Sequence, residues 1–300
     1  YLDEKQQKEI EFGRPIERGN QQQMMDEALA VARKSDVVVA CLGEMAEMSG
    51  ECASRSNLEL PDAQMMLLKE LVKTGKPIVL LNFSGRATVL KWESENVNAI
   101  MNVWFAGSET GDAVCDVLFG DKVPTGKTVN SFPQNVGQLP LYYNHMNTGR
   151  PVPEGTDRFF KYQSNYLDVR NDPLYPFGYG LSYTTYEYGD LTLSSSKMKA
   201  DGKVEASITV KNTGLRDGDE IVQLYIRDIS ASIARPVKEL KGFQRIHLKS
   251  GESKTVKFDI TRSQLEFYGS DLKQVIEPGD FTIMVGPNSR DLKTVKLTVE

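Results

Sequence analysis

The apolar residues of this chain change their spacing part-way along, and that change limits the available folds more than any other feature. In the first part, short apolar runs at 37–42, 78–83 and 99–104 read as buried strands. Between them lie stretches of helical spacing. Residues 24–34 carry Met24, Ala28, Leu29, Val31 and Ala32 on one face, and 64–73 form a second amphipathic helix that Gly75 closes before Pro77. A short helix is expected near Trp92, and another runs from the Gly107–Gly111 segment through Leu118. Strand and helix in alternation at this spacing predict a parallel sheet covered on both faces. From about Asp190 the period falls to two. Val204, Ala206, Ile208 and Val210 alternate with polar residues, as do Val256, Phe258 and Ile260, then Phe281, Ile283 and Val285, then Val295, Leu297 and Val299. Turn residues such as Asp217-Gly218, Ser250-Gly251 and Pro278-Gly279 separate these runs. About seven short strands without a helix predict an immunoglobulin-like β-sandwich.

The expected organisation is a polar leader at 1–23, an α/β domain at 24–133, an aromatic-rich packed connector at 134–189 and a β-sandwich at 190–300. The connector holds too many tyrosines and prolines for a floppy linker, among them Tyr142, Tyr143, Tyr175, Phe177, Tyr179 and Tyr183.

One stretch stands apart. Between the strand ending at Leu42 and the helix that Pro61 and Asp62 can start lies a loop of about seventeen residues, long for an α/β connection. It follows the carboxyl end of a parallel strand, where open α/β sheets place their ligand crevices. It carries Glu44, Glu47, Glu51 and Glu59, the Ser49-Gly50 hinge and Arg55. Spacing alone also accommodates a solvated acidic loop. Glu44 and Glu59 flank the regular elements and are expected on solvent or capping backbone. Glu47 and Glu51 lie mid-loop, where either could be aimed into a neighbouring site as a proton donor. Partial burial would give such a donor the raised pKa it needs.

Composition removes other functions. A net charge of −5 without a basic stripe argues against binding a phosphate backbone. No apolar stretch is long enough to cross a bilayer. Three cysteines give neither a disulfide framework nor a metal site, and Cys41 and Cys115 are expected as small buried hydrophobes. With only His145 and His247, a histidine-based relay or zinc centre is not supported. No cofactor or metal is expected. Gly107-x-x-x-Gly111 lacks the glycine-lysine ending of a P-loop, so its glycines are read as easing a strand into a helix. Arg86, after the second strand, is expected to hold backbone or a carboxylate. His145 lacks a carboxylate or serine nearby in sequence, and Lys238 to Phe243 reads as a structural strand edge. The chain starts Tyr1-Leu2-Asp3, which reads as an internal fragment from which targeting information has been cut.

Glu51-Cys52-Ala53-Ser54-Arg55-Ser56 with Leu58-x-Leu60-Pro61-x-x-Gln64 resembles the acid/base loop of glycoside hydrolase family 3, closest to its bacterial periplasmic β-glucosidase branch. Further stretches agree in order: Gly75 to Leu80, Ser84-Gly85-Arg86, Trp104 to Glu109, Asp116 to Asp121, Ser131-Phe132-Pro133, Val136 to Pro140, Thr148 to Pro151 and Tyr175 to Tyr183. Arg235 to Phe243 resembles the family's fibronectin type III-like domain. The resemblance covers nearly everything from Met24 onward.

The resemblance implies a retaining, exo-acting enzyme that removes β-linked glucose from oligosaccharides or other β-glucosides, periplasmic or secreted. Such chemistry uses a nucleophile and an acid/base about 5–5.5 Å apart. The family's nucleophile is an aspartate in a Ser-Asp-Trp-like stretch of a preceding (β/α) barrel, and the family also carries a Lys-His sugar-binding pair. Neither has a counterpart here. Glu51, ten residues before Pro61, falls at the family's acid/base position, and Arg55 would brace the loop. The barrel half is then the implied partner, and this portion alone is expected to be inactive. The first strand of the α/β domain is also expected to be missing, leaving an edge or apolar face uncovered. A non-catalytic carbohydrate-binding or interaction module is the alternative.

Overall fold

The computed structural model describes residues 20–300, so most of the expected leader lies outside the described residues. The chain divides into two compact units. One comprises the chain up to Val114 together with Phe132–Leu139, and the other Cys115–Ser131 with Pro140–Glu300.

The first unit is α/β. Helix α1 (Gln21–Lys34) begins three residues earlier than its apolar spacing indicates, because the Asn20 side chain accepts hydrogen bonds from Gln22 and Gln23 backbone N–H and caps it. Strand β1 (Val38–Gly43), helix α2 (Asp62–Val72), strand β2 (Ile78–Phe83), helix α3 (Lys91–Asn96) and strand β3 (Ala99–Asn102) follow, and helix α4 (Thr110–Leu118) begins in this unit and ends in the second. The sheet is parallel, in the order β1-β2-β3. Leu29, Ala32, Ala40, Leu60, Leu68, Leu71, Ile78 and Leu80 form its core. Strand β3 stops short of the expected length, because Trp104 takes a φ of 59° that no strand tolerates. Its ring lies 5.9 Å from that of Phe132.

At β1 the sheet is not covered on both faces, and the uncovered edge and apolar face expected from the sequence lie there. Val39 and Cys41, on the face opposite Ala40, are exposed. Among the described residues β1 is an edge strand whose second face has no cover. Cys115 is exposed too, because α4 contains no fully buried residue. Neither cysteine is the buried hydrophobe that its element suggested.

The second unit is a β-sandwich. Its strands are β4 (Tyr186–Tyr188), β5 (Thr192–Leu193), β6 (Lys197–Met198), β7 (Lys203–Asn212), β8 (Gly218–Asp228), β9 (Glu239–Leu248) and β10 (Ser253–Thr261). The one-turn helix α5 (Arg262–Leu265) leads to β11 (Phe267–Tyr268), β12 (Gln274–Val275), β13 (Gly279–Gly286) and β14 (Lys293–Val299). One sheet runs β10-β7-β4, with β5 also on β7, and the other runs β6-β14-β13-β8-β9. Alternation along β7 buries Val204, Ala206, Ile208 and Val210, which meet Leu224, Ile226, Ile283 and Leu297 in one core.

Polar bonds hold the segment before the sandwich to it. Lys127 Nζ pairs with buried Glu220 at 3.0 Å and donates to the Gly180 carbonyl, while Tyr188 donates its hydroxyl proton to Glu220. Tyr143 stacks on Phe177 with ring centres 4.3 Å apart. Lys238, read as a strand-edge residue, is buried, its ammonium satisfied by Glu154 and the Ser289 carbonyl. No helix among the described residues is long and apolar enough to cross a membrane.

Candidate functional site

The acidic loop spans 44–61, between β1 and α2, and a clasp at its base fixes where it starts and ends. Gln64 of α2 accepts a hydrogen bond from Gly43 N at 2.7 Å and donates to Gly43 O at 2.9 Å. Gly43 has a φ of 140°, and a Cβ there would lie 1.8 Å from the Phe83 carbonyl oxygen, so no other residue fits where β1 meets β2. Further along, Val89 N donates to Leu58 O and Leu60 enters the core.

Inside the loop the organising residue is Glu44, expected on solvent or as a backbone cap. The structure buries it instead, with 1% of its side chain exposed. Its Oε1 receives Arg55 Nη1 at 2.8 Å and Arg86 Nε at 3.1 Å, and its Oε2 accepts from Gly85 N at 3.1 Å. A carboxylate in this position is compensated by two guanidinium groups and a backbone donor, which is what burial of a charge requires. Sequence reasoning missed it because the arginines lie 11 and 42 positions away. The sole local hint was a glutamate directly after a buried strand.

The two arginines carry the constraint into the rest of the loop. Arg55 Nη2 donates to Glu59 O at 3.1 Å. Arg86 Nη2 donates to Met48 O at 2.7 Å and to Ala53 O at 3.0 Å, so one nitrogen ties together both ends of 48–53. Arg86 thus holds a carboxylate and backbone, as its position after β2 suggested. Met48 is buried. Gly85 lets the loop come this close, since a Cβ there would lie 1.9 Å from Ser49 Oγ and 2.8 Å from Ser49 Cβ.

Glu51 sits at the centre of that tied segment. Ala53 N donates to Gly50 O at 3.3 Å, closing a turn with Glu51 and Cys52 at its corners. Cys52 has a φ of 60° in the position where type II turns carry glycine, and Gly50 has a φ of 125°. The turn presents Glu51 outward, exposed among the described residues. The partial burial expected of a proton donor is therefore not supplied by these residues. Glu47, in the short 3-10 turn Ala46–Met48, and Glu59 are exposed as well.

Below the loop, the carboxyl ends of β2 and β3 carry a buried polar group. Asn82 Nδ2 donates to Thr88 Oγ1 at 3.0 Å and Asn102 Oδ1 at 2.8 Å. Nearby in the same unit, Glu93 of α3 is buried with its Oε1 unpartnered. Burial, with a smaller push from Glu59 and against the pull of Lys69, raises its pKa from 4.5 to about 7. No sequence signal marked it. His145 is exposed, its Nδ1 beside the Met146 carbonyl. No group of three or more His, Cys, Asp or Glu among the described residues could hold a metal ion.

A long loop at the carboxyl end of a parallel sheet, followed by a fibronectin-like sandwich, has counterparts among known proteins. The family described as "Glycosyl hydrolase family 3 C-terminal domain" matches residues 4–183. The chain belongs to that family. A "Fibronectin type III-like domain" matches residues 220–289. Among curated relatives, a periplasmic β-glucosidase of Salmonella typhimurium is 50% identical over 273 residues, 91% of this chain and 35% of the relative. A β-xylosidase of Formosa agariphila is 44% identical over 276 residues, 91% of this chain and 37% of the relative. The crystal structure of a Listeria innocua β-glucosidase in complex with gluconolactone superposes with a TM-score of 0.88 at 39% identity, covering 95% of this chain and 39% of that one. This family 3 chain thus spans about a third of the length of the curated relatives it matches. Its parallel-sheet domain and β-sandwich agree with the fold expected from sequence.

Proposed function

We propose that this chain is the acid/base-bearing portion of a retaining, exo-acting β-glucosidase, with Glu51 as the general acid/base and the nucleophile on a preceding barrel. The observation that carries this reading is the placement of Glu51 at the outward corner of a turn inside segment 48–53, whose two ends are tied by one guanidinium nitrogen. A proton donor has to meet the leaving oxygen within hydrogen-bond reach, and a floppy loop could not hold it there.

In the first step the carboxylate nucleophile attacks the anomeric carbon and the glycosidic C–O bond breaks. The Glu51 carboxyl proton passes to the departing oxygen, leaving a covalent glycosyl-enzyme and a Glu51 carboxylate. In the second step that carboxylate takes a proton from water as the water oxygen attacks the same carbon. The nucleophile is released, the β configuration is retained and the Glu51 proton is restored. Arg55 braces the loop and does not touch the sugar. Burial of Glu51 against the rest of the protein would supply the desolvation that a proton donor needs. The substrate class is β-glucosides and oligosaccharides, as the names of β-glucosidase relatives suggest, and a periplasmic site follows the name of the Salmonella relative.

The test is reconstitution. The purified chain is assayed on an aryl β-glucoside alone and after mixing with a separately produced preceding portion of the protein. Activity only on mixing, and its loss or slowing in Glu51→Gln, is the expected result. Full activity from the chain alone would mean that it carries its own nucleophile, and the reading would fall.

A further inference from the structure

We infer that Glu44 is a positioning residue for the proton transfer: through Arg55 and Arg86 it sets where Glu51 stands, without itself meeting the substrate. The inference rests on the reading of Glu51 as the acid/base and concerns what holds that residue in place.

Glu44 is the one loop carboxylate withdrawn from solvent, and both arginines that hold the interior of the loop pair with it. Its Oε1 orients both guanidinium groups, and those groups reach three loop carbonyls, at Met48, Ala53 and Glu59. The three carbonyls bracket Glu51, and two of them share a single nitrogen of Arg86. Without the carboxylate, two positive groups would face each other at the base of the loop with no anion between them. They would separate, and with them the carbonyls they hold. Arg86 enters from beyond β2, and Gly85 N donates to the same carboxylate, so the loop is anchored to a rigid strand end. The turn at 50–53 cannot hold Glu51 by itself, since it is closed by one long hydrogen bond and carries a left-handed cysteine.

A positioning role and a merely structural one differ in a measurable way. A misplaced proton donor penalises glucosides with poor leaving groups, whose oxygen needs protonation, far more than those with good ones. Partial unfolding lowers both equally. The experiment measures kcat/KM of the full-length protein on a poor and a good aryl β-glucoside, for the parent, Glu44→Gln, Arg86→Lys and Glu51→Gln. The ratio of good to poor substrate should rise about tenfold in Glu44→Gln, several-fold in Arg86→Lys, and most, about a hundredfold or more, in Glu51→Gln. Arg86→Lys leaves Glu44 paired with Arg55 and so keeps the buried charge compensated. It decides the question if Glu44→Gln does not accumulate as folded protein. An unchanged ratio in the folded clamp variants, beside a raised one in Glu51→Gln, would overturn the inference and leave Glu51 as the acid/base. An unchanged ratio in Glu51→Gln would overturn the reading on which it rests.

Discussion

Each unit buries a glutamate against a cation, and the two do different work. In the β-sandwich unit, Glu220 on β8 meets Lys127 and Tyr188 beneath a large apolar core, and the charge ties an irregular segment to a sheet that already stands on its own packing. In the α/β unit, Glu44 follows β1, which among the described residues is the edge of a three-stranded sheet and leaves Val39 and Cys41 exposed, and its two arginines hold a loop. The sandwich core gathers 20 buried residues and the α/β core 8 among those described, so the first charge adds to a stable scaffold while the second must organise a thinly packed one. A buried ion pair is weak evidence of stability. What it specifies is geometry, and only in the α/β unit does that geometry belong to a candidate catalytic loop.

The largest test of this contrast lies in the sandwich core. Ile283→Ala, at a fully buried position, should cost about 4 kcal/mol, read as a lower urea midpoint by far-UV circular dichroism. Trp92 and Trp104 are the only tryptophans and both belong to the α/β unit, so tryptophan fluorescence follows that unit separately. Lys127→Ala should cost about 3 kcal/mol in the same denaturation, because it strands a buried Glu220 whose pKa burial already pushes up and Lys127 holds down. A cost below about 1 kcal/mol would mean that water reaches Glu220 and that the two buried glutamates are not comparable.

Glu93 sharpens the comparison from the α/β side. Its folded pKa of about 7 lies above its ordinary 4.5, so the folded state holds the proton more tightly. The resulting stability is fully present below about pH 4.5 and is lost as pH rises through 7. Over that window the fluorescence-detected stability should fall by on the order of 2–3 kcal/mol beyond the contribution of other groups, and Glu93→Gln should abolish that part of the slope. The smallest effect is expected at the uncovered edge. Val39→Thr should change stability by less than about 0.5 kcal/mol in the purified chain, and a cost above about 2 would show that the face is packed.

Much of this architecture is legible in the sequence because it is local. Apolar runs mark β1 and β2, Pro61 marks the start of α2, and period-two alternation marks β7, β10, β13 and β14. What was not legible depends on partners distant in the chain. Glu44 looks like any loop-edge glutamate until Arg86 arrives from beyond β2, and Gln64 looks like a helix surface residue until it clasps Gly43. Cys41 sits in an apolar strand, yet its exposure is decided by what covers the sheet. The motif around Glu51 could name a candidate residue. It could not show the turn with a left-handed Cys52, which depends on the backbone path.

The most direct measurement uses Glu51→Ala in the full-length protein, a good-leaving-group aryl β-glucoside, and added azide. Without the acid/base, departure of a good leaving group still forms the glycosyl-enzyme, but water attacks it slowly for want of a base. Azide needs no base. If Glu51 is the acid/base, azide should raise turnover about tenfold or more and the product should be the β-glucosyl azide, with configuration retained. No response to azide, or an α-glucosyl azide, would contradict that role.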